Sequence, residues 1–374
     1  MVIATRPEAI KMAPVVAALR AHAPDVATHV AFTGQHTTLV DQVMGAFDIE
    51  PDHDLGIMRE GQTLYDVVHG ALDGLRNVVL DVRPSIMLVQ GDTASVFAGA
   101  LVGYFEHVRV GHVEAGLRSG DMAAPFPEEG LRRLTDVLSD LRFAPTPHAR
   151  ELLLAEGVAP ESVHVTGNTV VDALSSVAEQ HRPIQNPVLR RIVDDDGCRL
   201  VLLTAHRRES FGAPLRAVFA AVRELADGAG DVDVVYPVHP NPNVREPAEA
   251  VLAGHPRIHL VEPLDYFDLI AALRSASLVL TDSGGIQEEA PTFGTPVLVL
   301  RTVTERPEGV EAGLAELVGT DRERIVERGR AALEASPRYP PANPYGDGKA
   351  GERIADIVVA ELTGRPRTTT DWTG

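Results

Sequence analysis

The sequence predicts an α/β protein built from two doubly wound domains. Short apolar runs alternate with amphipathic segments along the chain, which implies parallel sheets with helices on both faces. The alternation breaks once, at HRPIQNPVLRRIVDDDG (residues 181–197), a polar, proline-bearing stretch with an acidic triplet. Length agrees, since 374 residues exceed one typical domain and suit two. Each half is therefore expected to hold its own parallel sheet, with a ligand in the cleft between them at the C-terminal strand ends.

In the first half, the apolar runs at 2–5, 27–33, 86–90, 108–113 and 163–166 predict strands, because runs without alternation suit strands buried on both faces. Segments 8–22 and 64–80 are amphipathic and predict helices. Beyond the break, runs at 200–204, 232–238, 258–261, 278–281 and 296–300 predict strands, and 214–225 and 322–333 predict helices. The expected division is a first domain over 1–180 and a second over 181–349, with a helix at 350–364 packing back on the first. The end, TGRPRTTTDWTG, is polar; residues 365–374 are expected to be disordered, with nothing near Trp372 to pack on.

Composition narrows the function. The formal charge of −19 opposes nucleic acid or an anionic membrane as partner, so an anionic ligand would need a local basic pocket. No run approaches the ~18–20 apolar residues of a membrane span, and Arg6 and Glu8 interrupt any signal peptide at once. Cys198 is alone, which excludes an intrachain disulfide and fits a cytoplasmic protein.

The chemistry gathers at strand ends. In LTDSGGIQEEAPTFGTPVLVL (280–300) the turn Asp282-Ser283-Gly284-Gly285 opens a short helix, and free N–H groups with small residues suit a phosphate there. A plain helix cap by Asp282 or Ser283 is the competing reading. Glu289 follows about a turn later, where a ribose hydroxyl would need an acceptor. LLTAHRRES (202–210) sets His206, Arg207 and Arg208 just past a strand, suited to a diphosphate and its leaving oxygen or simply a solvated loop. YPVHPNPN (236–243) sets His239 at another strand end, or makes a rigid turn.

The first half is acidic at the same places. VQGDTAS (89–95) carries Asp92, GHVEAGLRSGD (111–121) carries Glu114 and Arg118, and PFPEEGLRR (125–133) carries Glu128, Glu129, Arg132 and Arg133. Glu128 and Arg132 are spaced i, i+4 and share a helix face. Asp92 as a helix cap, and the glutamates as dipole partners, are the ordinary alternatives. As a group, carboxylates at adjacent strand ends suit proton transfer at a sugar carbon better than metal binding, because no histidine-rich ligand set accompanies them.

Taken in order, TRPEAIKMAP, TGQH, GDT, GHVEAGLRSGD, PEE, TGNTVVDAL, HRRESFG, YPVHPNPNVREP, LTDSGGIQEEAP, TERPE and NPYGDG resemble the non-hydrolysing UDP-N-acetylglucosamine 2-epimerases of bacteria, from Thr5 to about Arg353. The resemblance implies a glycosyltransferase-B-like fold of two nucleotide-binding-type domains facing across a cleft. It also implies interconversion of UDP-N-acetylglucosamine and UDP-N-acetylmannosamine, with no metal and no cofactor, by a cytoplasmic homodimer. The implied route eliminates UDP to 2-acetamidoglucal and adds it back with the proton on the opposite face. Asp92, Glu114 and Glu128 match the catalytic carboxylates, Arg132 their basic neighbour, and His206 the histidine at the phosphates. Arg6 and Lys11 match an N-terminal basic pair, so the first turn presents cations where other nucleotide folds carry glycines. Ser283, Gly284 and Gly285 match the diphosphate turn, Glu289 the ribose contact and Arg306 a further nucleotide-site arginine; Leu264 and Leu269 stand at the uracil-side positions. Gln35, His36, Arg207 and His239 match a second, regulatory sugar-nucleotide site. Relatives follow TGQH with an arginine and a Gln or Glu, whereas this chain has Thr37 and Thr38, and Gly61 stands where arginine is frequent. Weak activation is therefore expected. A UDP-sugar glycosyltransferase of the same fold, a hydrolysing epimerase and a non-catalytic nucleotide-sugar sensor are the alternatives; the first leaves the Asp92, Glu114 and Glu128 set without a purpose.

Overall fold

The computed structural model describes residues 1–34, 38–59, 61–180, 182–335 and 343–374. It separates into two compact units, Met1–Ala173 with Tyr345–Gly374, and Leu174–Pro344. The division falls inside the helix Thr169–Ala178, whereas the sequence reading places it after residue 180.

Unit 1 contains strands β1 (Val2–Ile3), β2 (Ala31–Phe32), β3 (His53–Asp54), β4 (Ile86–Gln90), β5 (Arg109–Val113), β6 (Leu141–Ala144) and β7 (Val163–Val165). All pair in parallel, in the orders β1-β2-β3 and β4-β5-β6-β7, and β1 lies beside β4. Strands 4, 5 and 6 are buried along almost their full length because helices cover both faces, which is why the first two read as largely apolar runs. The expected strand at 27–33 is ladder-paired only over its last part. Two strands of this unit escape the sequence reading. β3 is short and polar, and β6 contains Arg142, whose charge is buried against the Asp136 carbonyl and the Ser162 hydroxyl.

The helix Ala350–Thr363 belongs to unit 1 and packs against the first helix, Arg6–Arg20. Residues 365–374, expected to be disordered, are instead fastened to the same unit. Asp371 accepts from the Val165 amide at 3.0 Å and the Trp372 amide donates to the Val165 carbonyl at 2.8 Å. Thr368 and Thr369 donate to Asp356 at 2.8 and 2.6 Å. The correction has a simple cause: β7 is an edge strand, and the tail satisfies its open backbone groups.

Unit 2 is one six-stranded parallel sheet of β8 (Arg199–Thr204), β9 (Val232–Pro237), β10 (Ile258–Val261), β11 (Ala276–Thr281), β12 (Val297–Val299) and β13 (Ala315–Leu317), in the order β10-β9-β8-β11-β12-β13. Of these, β13 is missed in the sequence because it is a short edge strand containing Glu316. The strand order reverses at one place in each unit, between β1 and β4 in unit 1 and between β8 and β11 in unit 2. At such switch points neighbouring loops diverge and leave room for a ligand. Among the described residues, no helix is long and apolar enough to cross a membrane.

Candidate active site

At the switch point of unit 1, Thr5 caps the first helix by accepting from the Glu8 amide, and Pro7 fits its first turn. Arg6 is half-buried at the first helical position. Glu8 is buried, accepting from the Ala4 amide at 2.6 Å and the Thr93 hydroxyl at 2.9 Å. It therefore ties the turn after β1 to the turn after β4. Burial pushes its carboxyl up to about 7, against those hydrogen bonds.

Thr93, not Asp92, caps the helix Ala94–Phe105, so Asp92 is released from the capping role the sequence left open. Arg132 reaches it with both Nε, at 3.2 Å, and Nη2. The i, i+4 spacing suggested Glu128 as the companion of Arg132. The structure pairs Arg132 Nη1 instead with Glu129, at 3.1 Å. Glu129 is fully buried and also accepts from the Ser119 amide and from Arg133, both at 2.9 Å. Burial would raise its pKa, but these donors hold it below the usual carboxylate range. Glu128 is half-buried at the start of the same helix.

Glu114 follows β5 with φ of +66°. A side chain in that left-handed region costs about 1–2 kcal/mol and persists only where surroundings impose it. Here Lys11 Nζ donates to both Glu114 oxygens at 2.6 and 2.7 Å, and Gln90 Nε2 donates as well. Lys11, expected with Arg6 to present a cation to the ligand, holds a carboxylate of its own unit. Arg118 turns inward to Asp136 at 2.8 Å and Glu156 at 2.7 Å.

The switch point of unit 2 gathers histidines and arginines with the carboxylates that pair them. Asp282 is buried at the end of β11 and accepts from the amides of His206 and Arg207, at 2.7 and 2.8 Å, which binds the β8 turn to the β11 turn. The Thr204 and Thr281 hydroxyls meet at 2.6 Å below. His206 stacks on His239 with ring centroids 5.5 Å apart. Burial holds His206 below its ordinary value, with His239 and Arg207 adding to this and Asp282 opposing it. Ser283 stands at the cap position of Gly284–Glu289 without using its side chain to cap. Across this turn lies Arg306: a Cβ on Gly284 would sit 2.6 Å from Nη1, so a side chain there would displace the guanidinium from its present place. Arg306 is oriented by buried Glu288, at 2.6 Å, and by Glu305, also at 2.6 Å. Arg301, at 2.8 Å from Glu305, and Arg207, at 4.0 Å, complete the cluster. Burial opposes the ionised form of Glu305, but Arg306 and Arg301 outweigh it and bring its pKa down to about 2. Glu289 Oε1 lies 3.6 Å from where a Gly285 Cβ would stand. Leu264 is buried in the apolar core of this unit and Leu269 packs against it. Gln35 and His36 lie outside the described residues.

Sequence reasoning missed Gln90, Glu8, Glu129 and Glu288. Gln90 was readable as an amide closing an apolar run. Glu129 and Glu288 each adjoin the glutamate assigned to the site, and only helix phase separates the buried one from its neighbour.

A family model described as UDP-N-acetylglucosamine 2-epimerase matches residues 17–359. The UDP-N-acetylglucosamine 2-epimerase of Bacillus subtilis is 45% identical over 377 residues, covering 100% of this chain and 98% of that protein. A UDP-GlcNAc 2-epimerase from Neisseria meningitidis, solved bound to UDP-GlcNAc, is 39% identical with a TM-score of 0.87, over 96% of this chain and 98% of that one. The S. aureus MnaA–UDP co-structure is 43% identical with a TM-score of 0.89, over 99% and 98%. Matches of this extent, on a chain whose two switch points are furnished as described, place it plainly: it belongs to the UDP-N-acetylglucosamine 2-epimerase family and is an isomerase.

Proposed function

We propose that the chain epimerises UDP-N-acetylglucosamine at carbon 2 by eliminating UDP and adding it back, with the unit 1 carboxylates at the sugar and the unit 2 cations at the diphosphate. The observation that carries this is the pairing at β4 and β5: two carboxylates, Asp92 and Glu114, stand at adjacent strand ends, each held by its own cation. Carbon 2 has no neighbouring carbonyl to acidify its hydrogen, so a carboxylate removes that proton as the bond from carbon 1 to the phosphate oxygen breaks. The C–H pair becomes the new double bond and the C–O pair leaves on UDP. Re-addition reverses both changes, with the proton delivered to the other face. Proton transfer by a placed carboxylate contributes about 10²–10⁴-fold. Arg306, Arg207 and the Ser283–Gly285 turn stabilise the departing diphosphate, and His206, neutral near pH 7 and carrying one ring N–H, donates to its oxygen.

The same reading has the chain acting in the cytoplasm as a homodimer. The single thiol, Cys198, fits a reducing compartment, and burial pushes it up to about 12, so it is unreactive. A groove on unit 1 with Tyr104, Phe105 and Val137 exposed along it favours a second copy there. The direct test supplies UDP-N-acetylglucosamine alone. UDP-N-acetylmannosamine should form to an equilibrium mixture; accumulation of free N-acetylmannosamine and UDP would mean hydrolysis, and dependence on an added acceptor would mean glycosyl transfer.

A further inference from the structure

Beneath the carboxylates lies a histidine that this chemistry does not use. His112 is on β5, two residues before Glu114, and among the described residues it is the fully buried histidine, at 0% exposure. Its Nδ1 lies 2.6 Å from Asp136 Oδ1 and its Nε2 lies 2.8 Å from the Gly91 carbonyl oxygen. A carbonyl oxygen only accepts. Asp136 also takes Arg118 at 2.8 Å and the Gly116 amide at 3.3 Å. Although burial alone would raise it, His112 and Arg118 hold Asp136 below the usual carboxylate range. Both ring nitrogens thus face acceptors, and the bond to the Gly91 carbonyl requires that Nε2 be the donor.

The consequence is geometric. Gly91 immediately precedes Asp92 and has φ of +83°. Its amide donates to the Val113 carbonyl at 3.1 Å and its carbonyl accepts from His112, so β5 grips this residue on both sides. Asp136, at the far side of the ring, holds the Gly116 amide two residues past Glu114. One buried histidine–carboxylate pair thereby holds the backbone beside both carboxylates.

We propose that His112 is a positioning residue for the epimerisation, its Nε2–H fixing the Gly91 carbonyl and through it the placement of Asp92 relative to Glu114. This rests on the reading that Asp92 and Glu114 act at the sugar. Two substitutions divide the ring's bonds. In H112N the amide nitrogen takes the place of Nδ1, keeping Asp136 and vacating Gly91. In H112Q the longer chain carries the amide nitrogen to the place of Nε2, keeping Gly91 and vacating Asp136. Turnover, KM, UDP affinity by calorimetry and Tm are measured for both. H112N should lose roughly ten- to hundredfold in kcat, the scale of a displaced catalytic group. H112Q should stay within a few-fold of the parent, with UDP affinity unchanged and Tm lowered in both. Equal losses of kcat in the two variants, or parental kcat in H112N, would overturn the proposal, since a merely structural role makes activity follow Tm. Should neither variant fold, the unaltered protein decides: nitrogen-15 spectra of its histidine rings must show a buried ring protonated at Nε2, and a bare Nε2 refutes it. D92N and E114Q with normal turnover would instead remove the site reading beneath it, so the two failures are distinct.

Discussion

Lys11 and Glu114 show how much hangs on single side chains. Their side chains are 13% and 6% exposed, so the pair is shielded from water. Breaking a buried pair from one side leaves an uncompensated charge and costs about 3–5 kcal/mol, whereas exposed pairs such as Arg322–Glu224 contribute about 0–1 kcal/mol. Lys11→Met should therefore lower Tm clearly and abolish turnover, while Arg322→Met should change neither; equal, small effects in a thermal melt would show that Lys11 is not holding Glu114. Asp92→Asn and Glu114→Gln should each cut kcat by about a hundredfold or more with UDP still bound. Near-normal turnover in both would reduce them to structural groups. The residue scale is also where sequence reading reached its limit. Asp92 and Glu114 were visible because each closes an apolar strand. Glu129 was not, because adjacent glutamates on a helix point about 100° apart and only packing says which turns inward. His112 and Asp136 are 24 residues apart and meet only once β5 and the helix Glu128–Leu138 are in place.

The elements repeat one device. In unit 1 Glu8 bridges the turns after β1 and β4, and in unit 2 Asp282 bridges those after β8 and β11, each a buried carboxylate spanning a switch point. In Glu8 the device carries a pH signature. Its carboxyl takes a proton at about 7 when folded against an ordinary 4.5, because of burial. Protonation therefore favours the folded state: the contribution is complete below pH 4.5 and is lost as pH rises through about 7. Integrated over that span it is on the order of 3 kcal/mol. Glu8→Gln, which keeps an acceptor for Ala4 and offers a donor to Thr93, should flatten the fall in Tm across that window. A slope identical to the parent's would show that Glu8 does not titrate there. Strands 4, 5, 8, 9 and 11 were legible as apolar runs because their sheets are covered on both faces. The strands that escaped are those where a charge enters the strand, as Arg142 does, or where an edge leaves only a few paired residues.

Across the whole chain, the terminal residues were misjudged because composition was taken for conformation. A polar, threonine-rich tail buries little apolar surface, yet it binds here through backbone groups that β7 leaves open. Removing residues 365–374 should lower stability by about 1–3 kcal/mol, the net of a few hydrogen bonds, read as a drop in Tm; an unchanged melt would mean the tail contributes nothing. The second sugar-nucleotide site is a prediction of the same scale. Activation by a second ligand requires differential binding to two states of the protein. The resemblance implies that Thr37 and Thr38 stand where relatives carry charged and amide groups, and each lost charge-assisted contact is worth on the order of 1 kcal/mol or more. Initial rates from pure UDP-N-acetylmannosamine should therefore show no lag; a long lag removed by a trace of UDP-N-acetylglucosamine would show a working site.

The proposed reaction depends on whether the proton at carbon 2 passes through the protein's carboxylates. Epimerisation in heavy water measures that directly. Removal of the proton to one carboxylate and delivery of a solvent-exchanged proton from another on the opposite face predicts that each UDP-N-acetylmannosamine formed carries solvent deuterium at carbon 2, and that Asp92→Asn and Glu114→Gln suppress this incorporation together with turnover. Epimerisation with the original hydrogen fully retained at carbon 2 would contradict the elimination route and the role given to both side chains.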